Sequence, residues 1–425
     1  MKSFWKIIYN LLIVPLLYII IKISSFFNSK IRRGIRGRKR IFEDLIINAA
    51  SLDKTKHLIW FHSSSLGEFE QAKPIIKELK NTRNFNILVT FFSPSGYENS
   101  LRYPYADLVS YIPLDSKSNA ERFIQIVKPD LVVLMRYDIW PNHIWAIKDK
   151  GIPAILIDAT MKNNSARCIP IIKNFHKYLF NDLSKILTVS KIDNERFKVF
   201  VKDSEKIKVV GDTRFDRVYE KSITSKERNL INEELFKDKT VFVAGSTWEE
   251  DHEIIIPVFK KLCKYKENLL LIIAPHEPSI LNLDKIEHDF AEELTTIRFS
   301  HLNNYNGENV IIVDSIGILL ALYTYADFAF VGGSFKQNIH NVLEAAVYGV
   351  PVVFGPRIDN SQEAQKLAEI GGGIVIRNKQ NAYRTIRNLI TNQKEREERG
   401  KICYDYVQQN LGASKLILNE INNIV

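Results

Sequence analysis

From residue 57 onward, short apolar runs rich in β-branched residues alternate with amphipathic stretches: HLIWFHS (57–63), NILVTFF (86–92), LVSYIP (108–113), LVVLM (131–135), AILID (154–158), KILTVS (185–190) and KVVG (208–211). Runs that are apolar at every position belong to strands buried on both faces, and the helical spacers supply the crossovers parallel strands need. This predicts a first α/β domain over 57–225. The charged, strandless stretch after it predicts a linker at 226–238.

The pattern then repeats in TVFVAG (240–245), LLLIIA (269–274), VIIVD (310–314), FAFVGG (328–333), PVVFG (351–355) and GIVIR (373–377), predicting a second domain over 239–400. Residues 401–425 read as a C-terminal helix packing back on the first domain. The fold class expected is two doubly wound α/β domains facing a central cleft, with ligands at the carboxyl ends of the strands. Neither half shows G-x-G-x-x-G after its first strand, which counts against a dinucleotide oxidoreductase.

The N-terminus breaks this rhythm. Residues 7–21 are apolar apart from Asn10 and are bracketed by Lys6 and Lys22. They predict an uncleaved membrane anchor over 1–29 followed by a basic juxtamembrane segment over 30–56, with spanning and interfacial insertion both left open. Seven basic residues between 30 and 40 place the body on the cytoplasmic side by the positive-inside rule. The segment lacks an amphipathic pattern, which argues against a core helix.

Charge fits this picture. An excess of 59 Lys and Arg over 49 Asp and Glu favours anionic partners, and its densest run adjoins the anchor. Anionic membrane lipids are therefore expected rather than nucleic acid. Three widely spaced cysteines suggest neither a disulfide framework nor a zinc site.

Candidate chemistry clusters at strand ends. After the first strand, Ser65, Gly67 and Glu68 open a helix, where glycine lets a ligand approach the backbone; Glu68 is read equally well as a first-turn carboxylate favouring the helix dipole. Arg136 and Asp138 follow the strand LVVLM. In the second half, Ser246 and Thr247 follow a strand as helix caps or phosphate donors, and Pro275 and His276 end the next strand. Gly332, Gly333 and Ser334 precede Asn338, His340, Asn341 and Glu344. Asn341 and Glu344 share a helix face and suit the vicinal hydroxyls of a ribose.

In order, Gly37-Arg38-Lys39, Ser65-Leu66-Gly67-Glu68, Asp138-Ile139-Trp140-Pro141-Asn142, Gly245-Ser246-Thr247, Gly332-Gly333-Ser334, His340-Asn341-Val342-Leu343-Glu344 and Gly349 to Pro356 resemble the bacterial 3-deoxy-D-manno-octulosonic acid (Kdo) transferases, glycosyltransferases of the GT-B type with two Rossmann-like domains. Three positions depart from the pattern. Arg136-Tyr137-Asp138 stands for Glu-Thr-Glu, Ala274-Pro275-His276 for Pro-Arg-His, and Arg214 for a lysine. The resemblance implies inverting transfer of Kdo from CMP-Kdo to the lipid A precursor, with no cofactor and no bound metal. Glu68 is then the general base; Ser65, Gly67, Arg136 and Asp138 bind the acceptor; and Ser246, Thr247, Pro275, His276, Gly332, Gly333, Ser334, Asn338, His340, Asn341 and Glu344 bind the nucleotide sugar. Competing readings are another lipid glycosyltransferase, a sugar-nucleotide epimerase, or a non-catalytic membrane adaptor of the same fold.

Overall fold

A computed structural model describes residues 2–82, 85–162 and 165–425. The chain forms two compact units, residues 1–217 with 411–425, and residues 218–410. In the first, β1 (Leu58–Ser63), β2 (Asn86–Phe91), β3 (Leu108–Tyr111), β4 (Leu131–Met135), β5 (Ala154–Ala159), β6 (Lys185–Thr188) and β7 (Ile207–Val209) form one sheet in the order β3-β2-β1-β4-β5-β6-β7. Every pairing is parallel. The second unit holds β8 (Thr240–Thr247), β9 (Leu269–Pro275), β10 (Thr296–Arg298), β11 (Val310–Ile312), β12 (Phe328–Val331), β13 (Val352–Phe354) and β14 (Gly373–Val375), ordered β10-β11-β9-β8-β12-β13-β14 and again parallel.

The continuous apolar runs behave as expected. All six residues of β1 and all five of β4 are buried, because helices cover both faces of the sheet. One strand was not anticipated: β10 is a three-residue edge strand whose ThrIleArg carries too little apolar signal to stand out. The order reverses between β1 and β4 in the first sheet and between β8 and β12 in the second. Crossovers leave these two strand pairs in opposite directions, opening a crevice at their carboxyl ends.

The boundary between units lies inside the helix Thr213–Lys226, not at 226–238. Charge makes this helix look like a linker, but its first turns are tied to the first unit: Arg217 pairs with Glu70 at 2.7 Å, and Asp216 accepts the N–H groups of Gly412 and Ser414 at 2.7 and 2.6 Å. The C-terminal region is two helices, not one. Gln393–Gln409 belongs to the second unit and Ala413–Asn422 to the first, separated at Gly412, whose φ of 106° suits glycine. Glu420 anchors the last helix by accepting from Lys208 at 2.8 Å and from Lys185.

At the N-terminus, Lys2–Phe27 is one helix long and apolar enough to cross a membrane, with a π-helical turn at Tyr9–Ile13. Only Tyr9 and Val14 are buried. Contrary to the sequence reading, the helix is two-sided. Lys2 pairs with Asp182 at 2.7 Å, Tyr9 donates to Asp115 at 2.7 Å, Asn10 to Asn142 at 3.0 Å, and Tyr18 accepts from Asn119 at 3.1 Å. Leu12, Leu16, Ile19, Ile20, Ile23 and Phe27 remain exposed. The few polar residues are too sparse to register as an amphipathic stripe until their partners are known.

The basic segment also divides. Arg38 turns inward, donating to the carbonyls of Gly34, Ile112 and Phe92 at 2.9, 2.8 and 2.7 Å while its guanidinium stacks on Phe92 and Tyr111. Burial lowers its pKa to about 10. It therefore braces the ends of β2 and β3 and does not join a membrane-facing patch.

Candidate active site

In the first unit the crevice between β1 and β4 collects the predicted acidic residues. Glu68 lies in the first turn of the helix Leu66–Thr82, 8% exposed, and its Oε2 accepts the Ser64 N–H at 2.7 Å. Among the described residues nothing donates to Oε1, so one oxygen is held and the other is open. Burial, then the negative charge of Asp138, push the Glu68 carboxyl above its ordinary value, against the opposing effects of the Ser64 N–H, Arg136 and His62. A helix-capping carboxylate would show the reverse shift, because solvent and the helix dipole both favour its anion. Gly67 leaves this side open, since a Cβ there would meet nothing within 4 Å. The Ser65 carbonyl accepts the Phe69 N–H at 3.1 Å.

Asp138 faces Glu68 with a partner that sequence reasoning passed over. His62 Nε2 lies 2.8 Å from Asp138 Oδ2, and its Nδ1 lies 2.8 Å from Thr90 Oγ1, which also accepts from Trp60 Nε1 at 2.7 Å. A carboxylate needs a donor, so the geometry assigns the Nε2–H tautomer toward Asp138. Burial would raise the Asp138 carboxyl, yet the hydrogen bond and charge of His62 hold it below its usual range. Two adjacent carboxyls are thus driven apart, Asp138 kept anionic and Glu68 made more basic. His62 sits inside a strand reading as pure core; its alternation with Trp60 toward one face was the available signal.

Arg136 leaves β4 in the left-handed region, with φ of 59° and its N–H fixed on the Ile157 carbonyl at 2.8 Å. Beyond it, Asp158 and Asp212 are both buried. Thr213 donates to Asp158 through its N–H at 3.1 Å and through its hydroxyl, while Arg214 grips Asp212 through Nε at 2.9 Å. Burial, reinforced by Asp212, raises the Asp158 carboxyl. Asp212 is held low: burial would raise it, but Arg214 prevails.

The second unit builds a different edge. Ser246 and Thr247 belong to β8 itself and do not cap the next helix; Trp248 takes the N-cap position of Glu249–Cys263. Ser246 has φ of 53°, and the Thr247 hydroxyl lies 2.8 Å from His252 Nε2. Asp251, also missed, binds the loops together: its Oδ2 accepts the N–H groups of Trp248 at 2.9 Å and Gly333 at 2.8 Å. Burial pushes its carboxyl up to about 6.

Gly332 donates to the Gly245 carbonyl at 2.9 Å. A Cβ on Gly332 would strike the backbone of Ser246 and Thr247, and one on Gly333 the Asn338 carbonyl and the His340 ring. The glycine pair thus lets the loops approach each other. Ser334 is likewise occupied, its buried Oγ accepting the Gly355 N–H at 2.6 Å. Asn338 is exposed.

The structure unites two histidines predicted separately. His276, following Pro275 at the end of β9, stacks 4.7 Å from Trp248 and 4.4 Å from His340, and Trp248 Nε1 donates to His340 Nε2 at 2.9 Å. An acceptor Nε2 requires that nitrogen to be unprotonated, and burial with His276 nearby lowers the His340 pKa to about 4. Lys336 Nζ lies 3.8 Å from the Trp248 ring centroid. Asn341 donates to Glu344 Oε1 at 3.1 Å while its own Oδ1 accepts the Leu343 N–H at 3.2 Å. Burial raises the Glu344 carboxyl, opposed by Asn341 and Lys221.

The chain is similar to proteins of known family. Residues 39–217 match the family described as 3-Deoxy-D-manno-octulosonic-acid transferase (kdotransferase). The chain is 32% identical over 391 residues to a bifunctional glycosyltransferase/methyltransferase of Fusobacterium nucleatum, covering 89% of this chain and 57% of that longer protein. It is 30% identical over 373 residues to the 3-deoxy-D-manno-octulosonic acid transferase of Haemophilus influenzae, covering 85% of this chain and 86% of that one. Among solved structures, a UDP-N-acetylglucosamine 2-epimerase aligns with TM-score 0.61 at 14% identity over 86% of this chain and 95% of its own. MurG of Acinetobacter baumannii aligns with TM-score 0.56 at 16% identity, covering 87% and 99%. These two likenesses speak to fold alone. On the sequence matches, the chain belongs to the 3-deoxy-D-manno-octulosonic acid transferase family and is a glycosyltransferase of the GT-B fold class.

Proposed function

We propose that this chain moves Kdo from CMP-Kdo to the lipid A precursor with inversion at the anomeric carbon. The observation that carries the reading is Glu68, a buried carboxylate with one oxygen held by Ser64, the other open, and a proton affinity raised by its surroundings. In this scheme Oε1 takes the proton of the acceptor hydroxyl as that oxygen bonds to the anomeric carbon and the CMP phosphate departs with the glycosidic electron pair. Asp138 stays ionised beside it and favours proton uptake by Glu68.

Ser65, Gly67, Arg136 and Asp138 form the acceptor side on the first unit. On the second, Asn341 and Glu344 engage the ribose, and Ser246, Thr247, His276 and His340 surround the nucleotide, with Pro275, Gly332, Gly333, Ser334 and Asn338 shaping the loops that hold them. No cofactor or metal enters the scheme. Membrane association is assigned to the apolar side of Lys2–Phe27 against anionic lipids, with the catalytic units on the cytoplasmic face of the inner membrane and no role for nucleic acid.

Incubation with CMP-Kdo and a tetra-acylated lipid A precursor, read by mass analysis of the lipid, tests the reading. A mass increase by whole Kdo residues is expected, and turnover of UDP-sugars alone rejects it. Glu68→Gln keeps the size and the Ser64 contact but cannot take a proton. It should lose roughly 100-fold or more in kcat while still binding CMP, and undiminished turnover would point to a non-catalytic adaptor.

A further inference from the structure

Beside Glu68 the first unit holds an arginine whose guanidinium makes no hydrogen bond among the described residues. The Arg136 Nε is buried without a hydrogen-bond partner, and among the described residues none accepts from the rest of its guanidinium. Carboxyls are close enough to feel its charge, since it lowers the proton affinity of Glu68, Asp158 and Asp212. None of them accepts a hydrogen bond from it: Asp158 is held by Thr213, Asp212 by Arg214, and Glu68 has one oxygen on the Ser64 N–H. The backbone that presents Arg136 adopts φ of 59°, a conformation costing a non-glycine residue about 1 kcal/mol or more. A second cation shares the place. Arg167 donates through Nη2 to the Tyr137 carbonyl at 3.1 Å, and the guanidinium carbons of Arg136 and Arg167 lie 6.0 and 5.9 Å from the Tyr137 ring centroid.

A partly buried, unpartnered guanidinium is costly unless a ligand completes it, and its planar fork matches two oxygens of one phosphate or carboxylate. We infer that Arg136, with Arg167 on the same tyrosine, forms an anion subsite beside Glu68 that takes a phosphate or carboxylate group of a substrate. The inference rests on the transfer reaction proposed above and adds a charge-reading group to its acceptor side. Two sources carry the chemistry: a sugar phosphate on the acceptor, or the carboxylate of the donor sugar.

Steady-state kinetics of wild type, Arg136→Gln, Arg136→Lys and Arg167→Gln, with intact and phosphatase-treated acceptor at varied CMP-Kdo, distinguish them. Arg136→Gln should raise one KM roughly 10- to 100-fold, with Arg136→Lys retaining part of the affinity. A rise in acceptor KM that disappears on the phosphatase-treated lipid assigns the acceptor phosphate; a rise in CMP-Kdo KM with both lipids assigns the donor carboxylate. Unchanged KM for both substrates, in variants that melt with the wild type, overturns the subsite. Calorimetric binding of the intact and phosphatase-treated lipids to the same proteins reads the acceptor arm without turnover. A wild type inactive with CMP-Kdo thus rejects the transfer reaction, whereas an active wild type matched by its variants rejects only the subsite.

Discussion

Glu68 and Asp138 are both carboxylic acids at the ends of adjacent strands, yet their surroundings drive them in opposite directions. A general base must be ionised, so kcat/KM should fall as pH drops through the raised Glu68 pKa, above where an ordinary glutamate would act. Asp138→Asn removes the like charge while its amide oxygen still accepts from His62. The acidic limb of the pH profile should move to lower pH, and an unmoved limb would show that Asp138 does not tune Glu68. Gly67 gives a second residue-scale test. With no neighbour within 4 Å of a Cβ, Gly67→Ala should leave the melting temperature unchanged or raise it, by about 0.5–1 kcal/mol of stability, while raising KM for the acceptor; an unchanged KM would mean that substrate does not approach that backbone. Among the candidate residues, Glu68 and Asp138 of the first unit stood out in the sequence because they follow strands, and Asn341 and Glu344 of the second because they lie three apart. His62, Thr90 and Asp251 did not, because a polar residue inside a buried run announces no partner until the fold supplies one.

Elements carry the next level of control. The helices flanking β1 and β4 leave in opposite directions, and that divergence, not any single side chain, opens the crevice in which Glu68 and Asp138 meet. The segment holding Arg38 acts as a brace: three backbone carbonyls depend on one guanidinium. Arg38→Met keeps much of the stem volume but strands those acceptors, and chemical denaturation should show a loss of about 3 kcal/mol. A loss below about 0.5 kcal/mol would place Arg38 with the solvated basic run that the sequence suggested. Sequence spacing located thirteen of the fourteen strands among the described residues, and the exception, β10, is held by its neighbour β11 rather than by its own composition.

For the whole molecule, the N-terminal helix joins fold to location. Its polar side is docked on the first unit and its apolar side is uncovered, so Leu16, Ile19 and Ile23 are the surface that a bilayer would bury. Replacing all three with serine should release the protein from anionic vesicles in a flotation assay without lowering its melting temperature, and retention on the vesicles would assign membrane binding elsewhere. The sequence alone determined that there are two parallel α/β units and an apolar leading segment, because burial on both faces writes itself as uninterrupted apolar runs, and it pointed to the carboxylates at the strand ends. Only the tertiary structure decided which polar groups are spent on one another and which stay open. Gly333 and Ser334 are consumed within loops, Arg38 within the body, and the Lys2–Tyr18 polar stripe against it, while Glu68 Oε1 and Arg136 are left over. The physical reason is that hydrogen-bond partners are set by distances between segments far apart in the chain, which no local pattern encodes.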